Sequence, residues 1–128
     1  MSKVLLIDDN PTITTLYGST LRNAGHQVEV ALDGEAALAA LKRTAPDVII
    51  LDLAMPKANG LEVLSAIRSN PAFTTTPVIV FSNTFTSERL QDVWDHGATQ
   101  VLSKASSTPK QIVEAVRSSL AAAARSGQ

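Results

Sequence analysis

Five polar residues with chemically useful side chains each lie just past a predicted apolar strand, the last of these strands being weak. Asp8 and Asp9 follow the run that begins at Val4, and the others are Asp52, Ser82 and Lys104, which follow the runs beginning at Val48, Val78 and Val101. Three carboxylates, a hydroxyl group and an ammonium ion suit the handling of a phosphoryl group beside a metal ion. We therefore predict phosphoryl chemistry if the fold brings these strand ends together.

The three acids indicate a magnesium site. Clustered carboxylates repel one another and a divalent cation relieves that repulsion, while Mg²⁺ prefers oxygen ligands. Zinc is disfavoured because the chain has no cysteine and its two histidines, His26 and His96, are expected to be solvent-exposed at helix ends. Lys104 can neutralise a second anion and Ser82 can donate a hydrogen bond to it. Asp52 is the predicted nucleophile, since aspartate can form an aspartyl-phosphate.

Alternating strand and helix patterns predict an α/β fold, a doubly wound five-stranded parallel sheet with helices on both faces. The second strand, Val28–Ala31, alternates apolar and polar residues, which favours an edge position. A strand order of 2-1-3-4-5 would set the other four strand ends side by side. Ligands of such sheets bind outside the carboxyl ends of the strands.

Helix signals divide the chain at regular intervals. Asn10, Asp33 and Thr108 are predicted N-caps, with Thr84 or Thr86 capping the fourth helix. Gly25 and Gly97 are predicted helix ends. The second helix is expected to bury an apolar face, and so is the fourth; their predicted residues are Ala36, Ala37, Leu38, Ala40 and Leu41, then Leu90, Val93 and Trp94. The segment from Ala72 to Pro77 is expected to be an irregular connection.

Composition sets wider limits. The 128 residues fit one domain, 45% of them are apolar, and the net charge is −1. No apolar run reaches the roughly 20 residues that cross a bilayer, and no basic face suggests nucleic acid. No signal peptide is apparent at the N-terminus. We expect a cytoplasmic domain over residues 1–124, with a frayed tail at 125–128.

The ordered set of residues resembles the receiver domain of bacterial two-component response regulators, a flavodoxin-like (CheY-like) fold. The resemblance covers essentially the whole chain, and the residues that carry it are Asp8, Asp9, Asp52, Met55, Pro56, Gly60, Ser82 and Lys104. It implies a phosphorelay signalling module in which Asp52 accepts a phosphoryl group from a histidine kinase or phosphotransfer protein.

The resemblance also implies roles for single residues. Asp9 and Asp52 would bind Mg²⁺ with the backbone carbonyl of Ala54, and Asp8 would support the metal. Ser82 would move toward the phosphoryl group, and Lys104 would pair with it. The chain would be a phosphoacceptor that assists its own phosphorylation and dephosphorylation, not an enzyme in the ordinary sense. Its fourth helix, fifth strand and fifth helix would bind a downstream effector, and it could form a phosphorylation-dependent homodimer.

Three positions depart from the family pattern. Val101 stands where the family usually has a switch aromatic, Asn83 where a small residue is usual, and Ala105 where proline is usual, often after a cis bond. We predict a trans Lys104–Ala105 bond, because a cis bond costs about 3–4 kcal/mol without proline. The conformational switch is therefore expected to be altered, with Phe85 as a candidate participant. Trp94 is a candidate interface residue, although partly buried packing is the favoured interpretation.

Other interpretations stay open. Taken singly, Asp8 and Asp9 suit a helix N-terminus, Ser82 suits a local turn and Lys104 suits a solvated surface. A degenerate receiver that serves as a phosphorylation-independent protein-binding scaffold is the main alternative function. A phosphate-ester hydrolase is a third possibility, and turnover of a generic ester would reveal it.

Overall fold

The computed structural model describes residues 2–53, 60–82, 87–104 and 107–126. Strands alternate with helices along these ranges. The elements are β1 (Lys3–Ile7), α1 (Pro11–Asn23), β2 (Gln27–Ala31), α2 (Gly34–Thr44), β3 (Val48–Leu51), α3 (Gly60–Ser69), a 3₁₀ turn (Pro71–Phe73), β4 (Val78–Ser82), α4 (Ser87–Asp95), β5 (Gln100–Ser103) and α5 (Pro109–Ser126).

All four strand pairings in the sheet are parallel, and the strand order is β2-β1-β3-β4-β5. The predicted fold class and strand order are thus confirmed. The three central strands are apolar and buried, apart from the exposed Lys3 that begins β1 and the buried Ser82 that ends β4. The edge strand β2 is less buried than the central strands: Gln27 is exposed, Val28, Glu29 and Val30 are partly exposed, and Ala31 is buried.

Three of the predicted helix starts are confirmed by side-chain caps. Asn10 Oδ1 accepts hydrogen bonds from the backbone of α1, and Asp33 Oδ1 accepts one from Ala36 N at 2.7 Å. Thr108 and Gln111 form a reciprocal capping box, with distances of 2.7 and 3.2 Å. The fourth predicted cap, Thr84 or Thr86, lies outside the described residues.

The two faces of the sheet carry separate apolar cores. One core lies under α2, α3 and α4 and includes Leu41, Leu64 and Val93. The other lies under α1 and α5 and includes Tyr17 and Val116, with the full membership Val4, Leu6, Tyr17, Leu21, Val48, Ile50, Ile79, Phe81, Ile112, Ala115 and Val116. We call these the α2–α4 core and the α1–α5 core. Their separation shows the doubly wound architecture.

Several predicted burial assignments are wrong. Trp94 is 45% exposed, and Leu38 is also exposed. In each case an adjacent helical residue faces the core instead, and one step along a helix turns a side chain by about 100°. Val93 is the buried residue beside Trp94, while α2 buries Ala37, Ala40 and Leu41 and leaves Ala36 exposed. His26 is half-buried rather than exposed, whereas His96 is exposed as predicted.

The connection between α3 and β4 contains the 3₁₀ turn that the sequence interpretation missed. Asn70 caps this turn by accepting a hydrogen bond from Ala72 N at 2.9 Å. Helix α5 runs through Ser126, so it includes the first two residues of the predicted tail; the fraying and the domain boundary stay predictions. Peptide bonds of the described residues are all trans, but Ala105 lies outside them, so that prediction also remains open.

Arg68 organises the end of the sheet where β4 and β5 begin. Its guanidinium group donates hydrogen bonds to the carbonyls of Gly97, Phe73 and Thr76 at 2.9, 2.9 and 2.6 Å. Burial lowers the pKa of the Arg68 side chain from its ordinary value. The network joins the end of α3 to the segments that lead into both strands. None of the helices described is both long and apolar enough to span a bilayer.

Candidate functional site

The backbone of the sheet places two acids side by side at its carboxyl end. Ile7 and Leu51 are register partners on the neighbouring strands β1 and β3, and Asp8 and Asp52 follow them directly. Asp52 N donates to Ile7 O at 2.9 Å, and Asp8 N donates to Ala31 O at 3.1 Å. These bonds continue the strand pairing beyond the strands. The position of both carboxylates is therefore fixed by the central sheet and not by a free loop.

The carboxylates form a compact acidic group. Asp8 is 1% exposed and Asp52 is 4% exposed, whereas Asp9 is exposed. One carboxylate oxygen from each of the three lies within 4.8 Å of the others. The backbone N–H of Asn10, the α1 cap, donates to Asp8 Oδ1 at 3.0 Å, so the same turn begins the helix and orients the acid. Such a set of oxygens suits a hard divalent cation.

Lys104 is the cation of the group. Its Nζ lies 2.6 Å from Asp8 Oδ2 and 3.5 Å from Asp52 Oδ2, and its side chain is only 12% exposed. Among the described residues the group has three carboxylates and one ammonium ion, which contacts Asp8 and Asp52, so these residues together carry an excess of negative charge. Burying unbalanced charge is costly, which gives a physical reason for a metal ion here.

Ser82 completes the set of predicted residues. It is buried at the last position of β4, beside its register partner Ser103 on β5. The carbonyl of Ser82 accepts a hydrogen bond from Lys104 N at 2.9 Å, which fixes the backbone of Lys104 next to the end of β4. The structure thus brings all five predicted residues to one end of the sheet.

Gly60 controls the approach of α3 to Asp52. A Cβ atom at this position would lie 2.4 Å from Leu53 Cα and 2.7 Å from Asp52 O, distances that real Cβ atoms do not adopt. Gly60 N also donates to Leu53 O at 3.1 Å. Only glycine lets the start of α3 pack against the backbone that carries Asp52.

Phe81 is a neighbour of the site that the sequence interpretation missed. Lys104 Nζ lies 5.8 Å from the centre of its ring, within the usual range of a cation–π contact. The residue precedes Ser82 in an apolar strand, so its sequence context resembles that of any core phenylalanine. The only available signal was its place directly before a predicted site residue.

The remaining candidates have varied placements. Val101 is half-buried and packs against the α2–α4 core, while Trp94 is exposed on α4. The other candidates, Ala54, Asn83, Phe85 and Ala105, lie outside the described residues.

Comparison with known proteins gives the family. The model of the response regulator receiver domain matches residues 4–117. The chain belongs to this family. One curated relative is the transcriptional regulatory protein KdpE of Mycobacterium tuberculosis, 40% identical over 105 residues, which are 81% of this chain and 45% of that protein. The receiver spans less than two thirds of the first curated relatives that it matches, from 13% to 60% of their lengths.

Solved structures agree with the fold. The chemotaxis response regulator CheY4 of Vibrio cholerae is 34% identical, with a TM-score of 0.87 over 93% of this chain and 98% of that one. A CheY-like receiver domain from Methanospirillum hungatei has a TM-score of 0.92 over 98% of both chains at 19% identity. The second likeness concerns the fold alone, and it shows that this backbone tolerates wide sequence change.

Proposed function

We propose that this receiver domain accepts a phosphoryl group on Asp52 in an Mg²⁺-dependent reaction. The observation that carries the proposal is a buried Asp52 carboxylate within 3.5 Å of Lys104 Nζ and inside a group of three acids. Clustered carboxylates repel one another, and a bound divalent cation relieves that repulsion. Membership of the receiver family supports the same chemistry.

The described acids fit the metal. Asp8, Asp9 and Asp52 would supply oxygen ligands, and the Ala54 carbonyl remains an expectation from the resemblance. Bound Mg²⁺ would neutralise negative charge that accumulates between the acids and the incoming phosphoryl oxygens. The excess negative charge of the group is what the ion would compensate.

The chain's own residues would carry out the transfer. An Asp52 carboxylate oxygen would form a bond to phosphorus while the phosphorus–nitrogen bond of a donor phosphohistidine breaks, leaving the electron pair on the imidazole nitrogen, which takes up a proton. The Lys104 ammonium group would balance the charge of the transferred group, and the Ser82 hydroxyl would donate a hydrogen bond to it. The domain would act as a phosphoacceptor without turning over a separate substrate.

The partners follow from this role. A sensor histidine kinase or phosphotransfer protein would be the donor, and an effector would read the surface of α4, β5 and α5. Exposed Trp94 on α4 offers a large apolar side chain to such an effector or to a second copy of the chain. The relatives named as transcriptional regulators make a regulatory output the most direct expectation. We place this signalling in the cytoplasm.

Intact mass spectrometry after incubation with acetyl phosphate and Mg²⁺ tests the proposal. We expect the mass of one phosphoryl group to be added, and the gain to disappear with EDTA or in Asp52→Asn. Asp95→Asn, which makes the same chemical change at an exposed position of α4, should retain the gain. No gain in the wild type would contradict the proposal and favour the scaffold function. Repeated turnover of a generic phosphate ester would instead favour a hydrolase.

A further inference from the structure

Phe81 contacts both the ammonium group of Lys104 and the ring of Tyr17. We propose that this contact couples the charged site to helix α1, so that a displacement of the Lys104 ammonium group changes the environment of the Tyr17 ring. The inference rests on the proposed function for its biological meaning, because phosphorylation of Asp52 is what would move the ammonium group. The coupling itself can be measured without phosphorylation.

The geometry supports a short physical connection. Lys104 Nζ lies 5.8 Å from the Phe81 ring centre, and the Phe81 and Tyr17 rings meet edge to face at 5.2 Å and 78°. Both arrangements are attractive, and both depend on the orientation of the Phe81 ring. Phe81 is 2% exposed and Tyr17 is 6% exposed. Because protein interiors are close-packed, a ring held at both ends transmits a displacement instead of absorbing it.

The connection leads to a defined side of the sheet. Phe81 and Tyr17 belong to the α1–α5 core, together with Ile112 and Val116 of α5. Val101 packs against the opposite core and carries no ring. The aromatic contact found for Lys104 among the described residues therefore points to α1 and α5, away from α4.

The charges around Lys104 explain why it would move. In the structure its ammonium group is closer to Asp8, at 2.6 Å, than to Asp52, at 3.5 Å. A phosphoryl group on Asp52 adds negative charge on that side of the ammonium group. This change draws the ammonium group toward Asp52. The ring of Phe81 then loses or changes its cation contact, and the ring of Tyr17 follows.

The chain has one tyrosine and one tryptophan, so each is a unique spectroscopic label. We would label the Tyr17 ring with ¹³C and the Trp94 indole with ¹⁵N and record both by NMR in a double-mutant cycle. The cycle compares four proteins: the wild type, Lys104→Met, Phe81→Leu and the double variant. Phe73→Leu makes the same change at a buried position of the α2–α4 core and serves, with and without Lys104→Met, as the matched control.

We expect Lys104→Met to shift the Tyr17 ring resonances in the wild-type and Phe73→Leu backgrounds, and to leave them in place in Phe81→Leu. Adding Mg²⁺ and beryllium fluoride, a phosphoryl analogue, should shift Tyr17 with the same dependence on Phe81. Equal Tyr17 shifts with and without Phe81, or no shift on Lys104→Met, would overturn the coupling. Bound fluoride seen by ¹⁹F NMR reports the analogue separately. If it fails to bind, the proposed function fails, and the double-mutant cycle still decides the coupling.

Discussion

At the scale of single residues, the Lys104 ammonium group compensates part of the negative charge of the buried acids. Replacing it in Lys104→Met leaves Asp8 and Asp52 facing each other without that cation. We expect the free energy of unfolding to fall by about 3–5 kcal/mol in metal-free buffer, since removing one partner of a buried ion pair leaves uncompensated charge. Urea unfolding in the presence of EDTA measures this loss.

Lys42→Met provides the matched control for that residue. Lys42 is exposed on α2, so the same chemical change should alter the free energy of unfolding by less than about 0.5 kcal/mol. Comparable losses in the two variants would mean that Lys104 contributes only as a surface lysine, and that the acids are compensated in another way.

Residue-level prediction from the sequence succeeded where the chemistry is tied to a strand end. Asp8 and Asp52 follow apolar runs, so their place beside each other followed from the parallel sheet and its predicted strand order. The closer pairing of Lys104 with Asp8 did not, because strand order fixes neighbours but not which oxygen a flexible lysine reaches. Trp94 was misplaced because a helix of nine residues gives too short an apolar pattern to distinguish its phase from that of Val93.

At the scale of elements, Gly60 sets how closely α3 can approach β3. We expect Gly60→Ala to lower the free energy of unfolding by about 1–3 kcal/mol, because the added methyl group overlaps backbone atoms that cannot rotate away. The same strain should reduce phosphorylation, since the displaced backbone carries Asp52. Chemical denaturation and the mass assay together measure both effects.

Gly18→Ala is the control for this change of element packing. Gly18 lies inside α1, where the nearest atom to an added Cβ is the end of the Arg22 side chain at 3.4 Å. Alanine should be neutral or stabilise the helix by up to about 1 kcal/mol. A Gly60→Ala protein as stable as Gly18→Ala would contradict the close approach of α3 to the strand.

Arg68 holds elements together at the opposite end of the sheet, where β4 and β5 begin. Arg68→Lys keeps the charge but cannot reach the carbonyls of Gly97, Phe73 and Thr76 together, because a lysine ammonium group lacks the planar fork. We expect a loss of about 1–3 kcal/mol in unfolding free energy with phosphoryl acceptance retained. Loss of phosphorylation without loss of stability would show that this network acts on the site instead.

Elements with a local chemical signal were predictable from the sequence. Asn10, Asp33 and Thr108 cap helices through their own side chains, and Gly25 and Gly97 adopt positive φ angles of 98° and 102° at helix ends. The 3₁₀ turn after Asn70 was missed because three residues show no periodicity. The Arg68 network could not be predicted either. Its partners are backbone carbonyls, which every residue has, so the sequence does not mark them.

At the scale of the whole molecule, one end of the parallel sheet holds a stabilising hydrogen-bond network and the other end holds the candidate functional site. Arg68 joins elements where β4 and β5 begin, and the acids gather where β1 and β3 end. The excess negative charge of the acids opposes folding of the entire domain, so an ion bound there should stabilise the entire domain. At a free Mg²⁺ concentration ten times the dissociation constant, binding adds about 1.4 kcal/mol, which corresponds to roughly 5 °C in Tm for a chain of this size.

Thermal unfolding at constant ionic strength, with NaCl replacing MgCl₂, separates this binding from general screening. Asp9→Asn removes a charge and a candidate ligand from the exposed edge of the acidic group without opening the core, so its Mg²⁺-dependent rise in Tm should be mostly lost. Asp95→Asn removes the same charge from α4 and should keep the full rise. Equal rises in all three proteins would mean that Mg²⁺ stabilises the fold from somewhere other than these carboxylates. A selective loss in Asp9→Asn would show that the ion stabilises the folded domain by binding at its acidic group.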